Sequence, residues 1–402
     1  MTRTWPYNVE GFRQAAQRRL PKPVFDFVDG GAEDEETLRE NHQQFHQLRF
    51  APRLFVDVSE RDLSVRVAGR RLRLPIIFAP TGLIGMVHPG GETVSPIVAS
   101  QQDILAVVSG HGTYSLEEVA ERVPGSSQWF DMFPWKDRGF FKEMIDRTRA
   151  AGYTGLAITV DTTVGSNRER DWANGWTAPP RLLGNVIEYG RHPVWVSNAF
   201  RYRRGTLRNF NPQPPSPWTF IRRASTSAAR SMSFISPKMS WDDMEWIRSY
   251  WNGPLAIKGA FNTEDAVRLA DLGVEVLLVG NHGGRQLDGL QTGLEQLVTL
   301  RDIVGDRMDL VLDGGIRRGS DIIKALCLGA RACMIGRAWV YALGAGGQPA
   351  VEAMLGVLER EMNMTMALLG VASVSDLDGS YLRLAGLREA DLHAKAPSRM
   401  DA

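Results

Sequence analysis

Eight short apolar runs punctuate the chain: PIIFAP (75–80), LAVVSG (105–110), SQWFDMF (127–133), GLAITVD (155–161), LAIKG (255–259), EVLLVGN (275–281), DLVLDGG (309–315) and ACMIGR (332–337). Most lack polar alternation. A strand with one face in water alternates, whereas one covered on both faces does not, so these runs predict buried parallel strands. Between them the pattern turns helical. FFKEMIDRTRAAG (140–152) follows the third run, EDAVRLADLG (264–273) the fifth and SDIIKALCLG (320–329) the seventh. Ser320 is the expected N-cap of the last helix, and Gly329 lies past its end. Repeated strand–helix units imply parallel neighbours joined by right-handed crossovers. Eight of them predict an α/β fold closed into a (β/α)8 TIM barrel. An open doubly wound sheet is the alternative.

The spacing breaks once, with nearly a hundred residues between Asp161 and the fifth run. Residues 177–240 therefore read as an insertion or lid after strand four, and 1–74 as an N-terminal extension, within one domain spanning 1–402. The stretch 181–230 holds nine Arg and one Glu but no Lys or Asp, together with Trp195, Phe200, Tyr202, Phe210 and Trp218. Prolines in NPQPPSP (211–217) oppose helix or central strand there. WDDMEWIRSYW (241–251) reads as a helix leading back to the barrel. In the extension, LPKPVFDFVDGGAEDEETLRENHQQF predicts two helices with a turn at Gly30-Gly31.

Composition narrows the class. Of 402 residues, 43% are apolar and 23% charged, which excludes a disordered or fibrous chain. Lys and Arg number 47 against 46 Asp and Glu, so net charge gives no argument for nucleic acid. Cys327 and Cys333 form no disulfide or CxxC framework, which points to a reducing, cytoplasmic compartment. MTRTWPYNVEGFRQ has no apolar signal-peptide core, and no apolar stretch approaches the ~18 residues of a membrane span. Arginine with tryptophan in 181–230 suits anionic headgroups, so peripheral contact with the inner face of a membrane is one reading. A lid or an oligomer contact is favoured, because no clean amphipathic helix is visible. His42 and His46 share a helical face but have no third ligand, and no metal is expected.

Chemistry gathers where the strands end, and barrel active sites lie at that C-terminal face. The ends are Pro80-Thr81-Gly82, Ser109-Gly110-His111, Asp131 with Phe133, Thr159 with Asp161, Lys258, Asn281-His282, Asp313-Gly314-Gly315 and Gly336-Arg337. In DGGIRRGSDIIKAL two glycines, Arg317, Arg318 and a helix start form a phosphate site, against the bland reading of an ordinary turn. In NHGGRQLDG, His282 as neutral imidazole can remove a proton, and Arg285 can grip a carboxylate with two parallel bonds. Asp161 could orient His282. Lys258 could face an anionic cofactor ring, form a Schiff base, or sit in a structural ion pair.

These motifs, from LPKPVFDFVDGGAEDE through FAPTGL, TVDTTVGSNRERD, IKG, NHGGRQLDG and LDGGIRRGSD to MIGRA, resemble the FMN-dependent α-hydroxy acid dehydrogenases and oxidases, the group of glycolate oxidase, L-lactate dehydrogenase and mandelate dehydrogenase. The resemblance implies FMN as cofactor. Pro80, Thr81, Gly82, Ser109 and Thr159 would line the flavin, and Lys258 would meet its N1/O2 edge. Asp313, Gly314, Gly315, Arg317, Gly336 and Arg337 would hold the phosphate. His282 would be the base, Asp161 its partner, Arg285 the carboxylate clamp and Arg168 a second active-site arginine. A homotetramer is the family's usual assembly. The departures lie around the substrate. Phe27 and Phe133 stand where tyrosines are usual, His111 where an aromatic residue, often tryptophan, is frequent, Asp131 where glutamine meets the flavin, and Gly280 where serine precedes the Asn-His pair.

The favoured function is oxidation of a 2-hydroxy acid, or a related bulkier substrate, to its 2-oxo product. The alternative is oxidation of a C–N bond on the same scaffold. A Schiff-base lyase and a non-catalytic flavin protein rank below both. Oxygen, a quinone or a protein would take the electrons.

Overall fold

A computed structural model describes residues 4–175, 185–211 and 234–384. The eight apolar runs are eight parallel strands: β1 (Ile76–Phe78), β2 (Leu105–Ser109), β3 (Trp129–Met132), β4 (Gly155–Thr159), β5 (Leu255–Gly259), β6 (Val276–Val279), β7 (Asp309–Asp313) and β8 (Ala332–Ile335). Each pairs with its sequence neighbour, and β8 pairs with β1, so the sheet closes. Closure excludes the open doubly wound sheet.

Strand parity decides which side chains enter the lumen. Ile77, Leu105, Val107, Trp129, Ala157, Ala256, Val276, Leu278, Val311, Ala332 and Met334 form one inner cluster. Their neighbours, among them Phe78, Val108, Phe130, Ile158, Ile257, Val279, Leu312 and Ile335, pack outward against the helices. Both faces are dry, which is why the runs do not alternate. The hairpin formed by Val65–Val67 and Arg70–Leu72 brings Val67 and Leu72 into the inner cluster. Advancing two residues along each strand gives the next inward layer: Ala79, Ser109, Asp131, Thr159, Lys258, Gly280, Asp313 and Gly336. The register sets Ser109 beside Asp131 and Thr159 beside Lys258. The barrel thus turns from hydrocarbon to polar chemistry within one layer.

The predicted helices form, with one boundary corrected. The helix after β7 is Gly319–Cys327, so Ser320 lies inside it rather than capping it. Asp321 reaches back instead, accepting from the N–H groups of Arg317 and Arg318 at 3.0 and 2.9 Å. Its charge sits at the positive end of the helix. The extension contains α1 (Val9–Arg19), which the sequence reading did not name, and the two expected helices, α2 (Lys22–Asp29) and α3 (Glu36–Gln47). Gly344 lets Arg337–Gly346 approach α1, since a Cβ there would lie 3.0 Å from Leu20 and 3.3 Å from Ala16.

Between β4 and β5 run the helices Glu169–Ala173, Val186–Gly190, Pro193–Tyr202 and Trp241–Tyr250. Trp218 and most of the proline cluster lie outside the described residues.

Gly155 shows how tightly the lumen is filled. A Cβ there would lie 2.3–2.5 Å from the indole of Trp129. Overpacking a filled core costs about 1–3 kcal/mol. Gly155→Ala should lower stability by that amount in urea unfolding, and an unchanged midpoint would contradict this packing.

Candidate active site

A cavity of about 560 Å³ opens at the C-terminal mouth, and all eight strand ends contribute to its wall. Phe27, Pro80, Thr81, Gly82, Ser109, His111, Asp131, Phe133, Thr159, Arg168, Lys258, His282, Arg285, Asp313, Gly314, Gly315, Arg317, Gly336 and Arg337 all line it. Two expected site residues do not. Asp161 stands behind His282. Gly280 is an inward position whose Cβ would lie 2.3 Å from the Asp313 carbonyl oxygen, so its role is close backbone packing.

The floor is ionic. Lys258 Nζ lies 3.0 Å from Asp313 Oδ2, with 5% and 9% of the two side chains exposed. Burial opposes the lysine's charge, but Asp313, Asp161 and Asp131 outweigh it and raise its pKa above the ordinary value. A lysine held protonated is no Schiff-base nucleophile. Among the described residues Asp131 has no such partner. Its Oδ1 accepts from Thr159 Oγ1 at 2.7 Å, and burial pushes its pKa up to about 7.

His282 has φ +57°, in the left-handed region where non-glycine residues are uncommon. Asn281 braces this turn. Its side-chain amide pairs with that of Asn41 through two hydrogen bonds of 2.8 and 3.0 Å, and its Oδ1 also accepts from Gly284 N–H. His282 Nδ1 lies 2.9 Å from Asp161 Oδ1. With Nδ1 so engaged, Nε2 is the nitrogen left for chemistry. The imidazole side chain keeps 23% of its surface, yet protein crowds it enough that burial lowers its pKa, against the pull of Asp161. The ring is therefore a neutral base at pH 7. Burial opposes the charge of Asp161 too, but His282 and Lys258 keep its pKa below the usual carboxylate value.

Cations crowd one side. Arg285 Nη1 and Arg337 Nη2 both donate to the Gly30 carbonyl, at 2.7 and 2.8 Å. Arg168 donates to the Arg285 carbonyl at 3.1 Å and to Gln286 at 2.8 Å. Burial and neighbouring guanidiniums depress Arg285 to about 9 and Arg337 to about 10. Such crowding is relieved by anions. The Arg285 guanidinium lies over the Phe27 ring at 5.3 Å. At the β7–β8 side, Gly314 and Gly315 have φ +114° and +79°, and a Cβ on Gly315 would lie 2.0 Å from the Asn41 carbonyl oxygen. Arg317 faces this corner. Arg318 does not: it turns away to pair with Glu361 at 2.7 Å, correcting its expected place beside the phosphate.

The remaining wall is aromatic. The His111 and Phe133 rings meet at 4.2 Å, and Phe210 stacks on His111 at 5.5 Å and 14°. Ile235 also lines the cavity. Nothing in the sequence pattern places Ile235 in the cavity or Phe210 behind His111, because the long insertion sets no register against the barrel. Asp29 was missed as well. It ties Arg13, Arg170 and Tyr341 together beneath the arginines. His111 Nε2 is sealed from solvent without a hydrogen-bond partner among the described residues. Burial depresses its pKa to about 3.

Residues 16–384 match the FMN-dependent dehydrogenase family, and the chain belongs to it as an FMN-dependent oxidoreductase. An L-lactate oxidase from Nostoc sp. is 37% identical over 387 residues, covering 94% of this chain and 98% of the relative. An L-lactate dehydrogenase from Alcaligenes faecalis is 34% identical over 92% of this chain and 97% of its own. Among solved structures, the monotopic membrane protein (S)-mandelate dehydrogenase superposes with TM-score 0.88 at 34% identity, over 94% of this chain and all (100%) of that one.

The cavity's chemistry suits FMN. A protonated lysine and hydroxyl donors line the floor for a ring that becomes anionic on reduction. Glycines at positive φ and two arginines stand at the β7–β8 corner, where barrels commonly hold phosphate.

His111 supplies a stability test. Its folded pKa of about 3 lies below the ordinary 6.5. The unfolded chain therefore takes up a proton below pH 6.5 that the folded chain refuses, so this contribution is fully present above that pH and is lost as pH falls toward 3. The slope approaches about 1.4 kcal/mol per pH unit in that window. His111→Phe should flatten the acid side of the stability–pH curve, and superimposable curves would refute the sealed, neutral imidazole.

Proposed function

We propose that the protein oxidises a 2-hydroxy acid bearing a bulky apolar side chain to the 2-oxo acid. The observation that carries this reading is convergence. The His282–Asp161 pair, Arg285 with Arg168, and Lys258 share one cavity with the aromatic wall. When bound, FMN accepts the electron pair. Arg285 and Arg168 hold the carboxylate, Arg285 through the planar fork that matches it. His282 Nε2 takes the proton, and Asp161 fixes the tautomer and stabilises the imidazolium. Lys258 faces the charge that develops on the cofactor side. Pro80, Thr81, Gly82, Ser109, Asp131 and Thr159 line the ring, and Asp313, Gly314, Gly315, Arg317, Gly336 and Arg337 hold the phosphate end.

The substrate's side chain follows from what surrounds it. Phe27 and Phe133 offer no hydroxyls, Ile235 adds hydrocarbon, and Phe210 backs the His111 ring. His111 is the polar group in that wall. An unsatisfied buried donor or acceptor costs about 1–3 kcal/mol. His111 Nε2 bears that cost behind the wall, where a substrate in the cavity does not reach it. In an anaerobic panel of lactate, mandelate and an amine analogue, mandelate should reduce the flavin at least about tenfold faster than lactate, since a phenyl buries several carbons where lactate buries a methyl. Equal rates would refute the bulky substrate, and faster reduction by the amine would favour C–N oxidation. His282→Asn should slow flavin reduction by about 10²–10⁴-fold, as for loss of a general base.

We infer further that the insertion meets an anionic membrane face. Val186, Ile187 and Val194 are 58%, 77% and 72% exposed, on a segment that also carries Arg191, Arg201 and Arg203. A membrane-bound mandelate dehydrogenase is among the similar structures. No described helix is long and apolar enough to cross a membrane, so contact would be peripheral. The protein should pellet with phosphatidylglycerol vesicles at low salt. The double substitution Ile187→Asp, Val194→Asp should weaken this more than tenfold, given roughly 1.5–3 kcal/mol per buried aliphatic side chain. No pelleting, or none lost in the variant, would overturn it.

A further inference from the structure

The inward layer above the hydrocarbon core holds two acids, Asp131 and Asp313, but one cation, Lys258. The cation is already used, since Asp313 holds it at 3.0 Å. Asp131 is 1% exposed and has no ion pair among the described residues. Thr159 on β4 fixes one of its oxygens by donating to Oδ1 at 2.7 Å. Among the described residues no group bonds Oδ2, and Asp131 lines the cavity. A carboxylate placed so, with Asp161 and Asp313 nearby and its one cation taken, is poorly stabilised as an anion. Strand geometry thus presents a carboxyl oxygen to the cofactor space and gives its charge no partner.

We propose that Asp131 works as a proton-linked hydrogen-bond donor to the flavin ring, so that reduction of bound FMN above neutral pH consumes one proton beyond those taken by the ring itself. The proposal rests on FMN occupying this cavity and adds a role for a side chain that the family usually replaces with a non-titrating amide. Burial raises the acid's pKa into the neutral range, mainly by desolvation and against the pull of Thr159 and Lys258. Below neutrality Asp131 is neutral whether the ring is oxidised or reduced. Above it, Asp131 is ionised beside the oxidised ring. Two electrons with one proton then leave the ring one negative charge richer, and Asp131 Oδ2 takes a proton from water and donates it back as a hydrogen bond. The electrons come from the substrate or an added reductant, and no other bond changes. Of the other groups around the cavity, Lys258 stays protonated, His111 stays neutral, and His282 responds alike whichever residue stands at 131.

The test is the midpoint potential of the holoenzyme, equilibrated with reference dyes between about pH 6 and pH 9, for the natural protein and Asp131→Asn. One extra proton per two electrons changes the equilibrium tenfold per pH unit, which is about 30 mV. The natural protein's potential should fall more steeply by that increment above neutrality, and the Asn variant should lack it. Parallel lines would overturn the proposal. Should the Asn variant fail to hold FMN, Asp131→Gln replaces it. Proton uptake on anaerobic photoreduction near pH 8, read with an indicator dye in weak buffer, is compared between the natural protein and Asp131→Gln so that uptake by His282 and Arg285 cancels: one proton more per flavin in the natural protein supports the proposal and equal uptake overturns it. A natural protein that is colourless and takes up no riboflavin phosphate would remove the FMN reading itself, an outcome distinct from parallel slopes.

Discussion

A lysine inside a β-barrel has to be neutralised, and the way Lys258 is neutralised organises the whole site. Asp313 reaches it across the lumen from β7, so the ion pair ties β5 to a strand that is not its neighbour. Removing one partner of a buried pair leaves an uncompensated charge costing several kcal/mol, which gives the polar layer little freedom. The same pairing leaves Asp131 without a counter-charge and keeps the lysine cationic. The floor therefore favours an electron-accepting ring that gains negative charge, and disfavours amine nucleophile chemistry. What lies above the floor follows from loops whose start points the strands have already set.

The second organising fact is the excess of guanidinium groups around Gly30. Arg285 and Arg337 share one carbonyl, and Arg168 is held against the same loop. Carbonyl dipoles are modest partners for such charges, so the arrangement is waiting for anions rather than satisfied by protein. A cofactor phosphate and a substrate carboxylate would supply two. The histidine–aspartate pair can then stay close to neutral chemistry, with Asn281 and Asn41 holding a strained turn in place. Rigid amide pairing at that point is what lets His282 occupy a left-handed conformation.

Much of this was legible in the sequence. Continuous apolar runs gave all eight strands, because strands buried on both faces have no polar positions to obscure them. The polar residues at the C-terminal ends of those runs gave the floor, and NHGGRQLDG and LDGGIRRG gave the rim, because glycines and charged residues at the ends of buried strands have few structural uses. What stayed hidden depended on contacts distant in sequence. Phe210 and Ile235 enter from an insertion that sets no register of its own. Asp29 looks like any helix-end acid until Arg13, Arg170 and Tyr341 close on it. Arg318 and Arg317 are adjacent and chemically alike, and only the backbone direction at the helix start sends one to the cavity and the other to Glu361.

The three-way fastening of Gly30 and Asp29 also bears on how the molecule is made. The helices α1 and α2 leave the ribosome before the barrel strands, and the groups they bind, Arg285, Arg337 and Tyr341, are synthesised about 250 residues or more later. Until β6 and β8 exist, this segment has no barrel to lie on, and the loops it must close span 255 to 312 residues. The anion-binding corner consequently comes together late, and capture of a phosphate there would signal that the chain has been made through β8 and the helix that follows it.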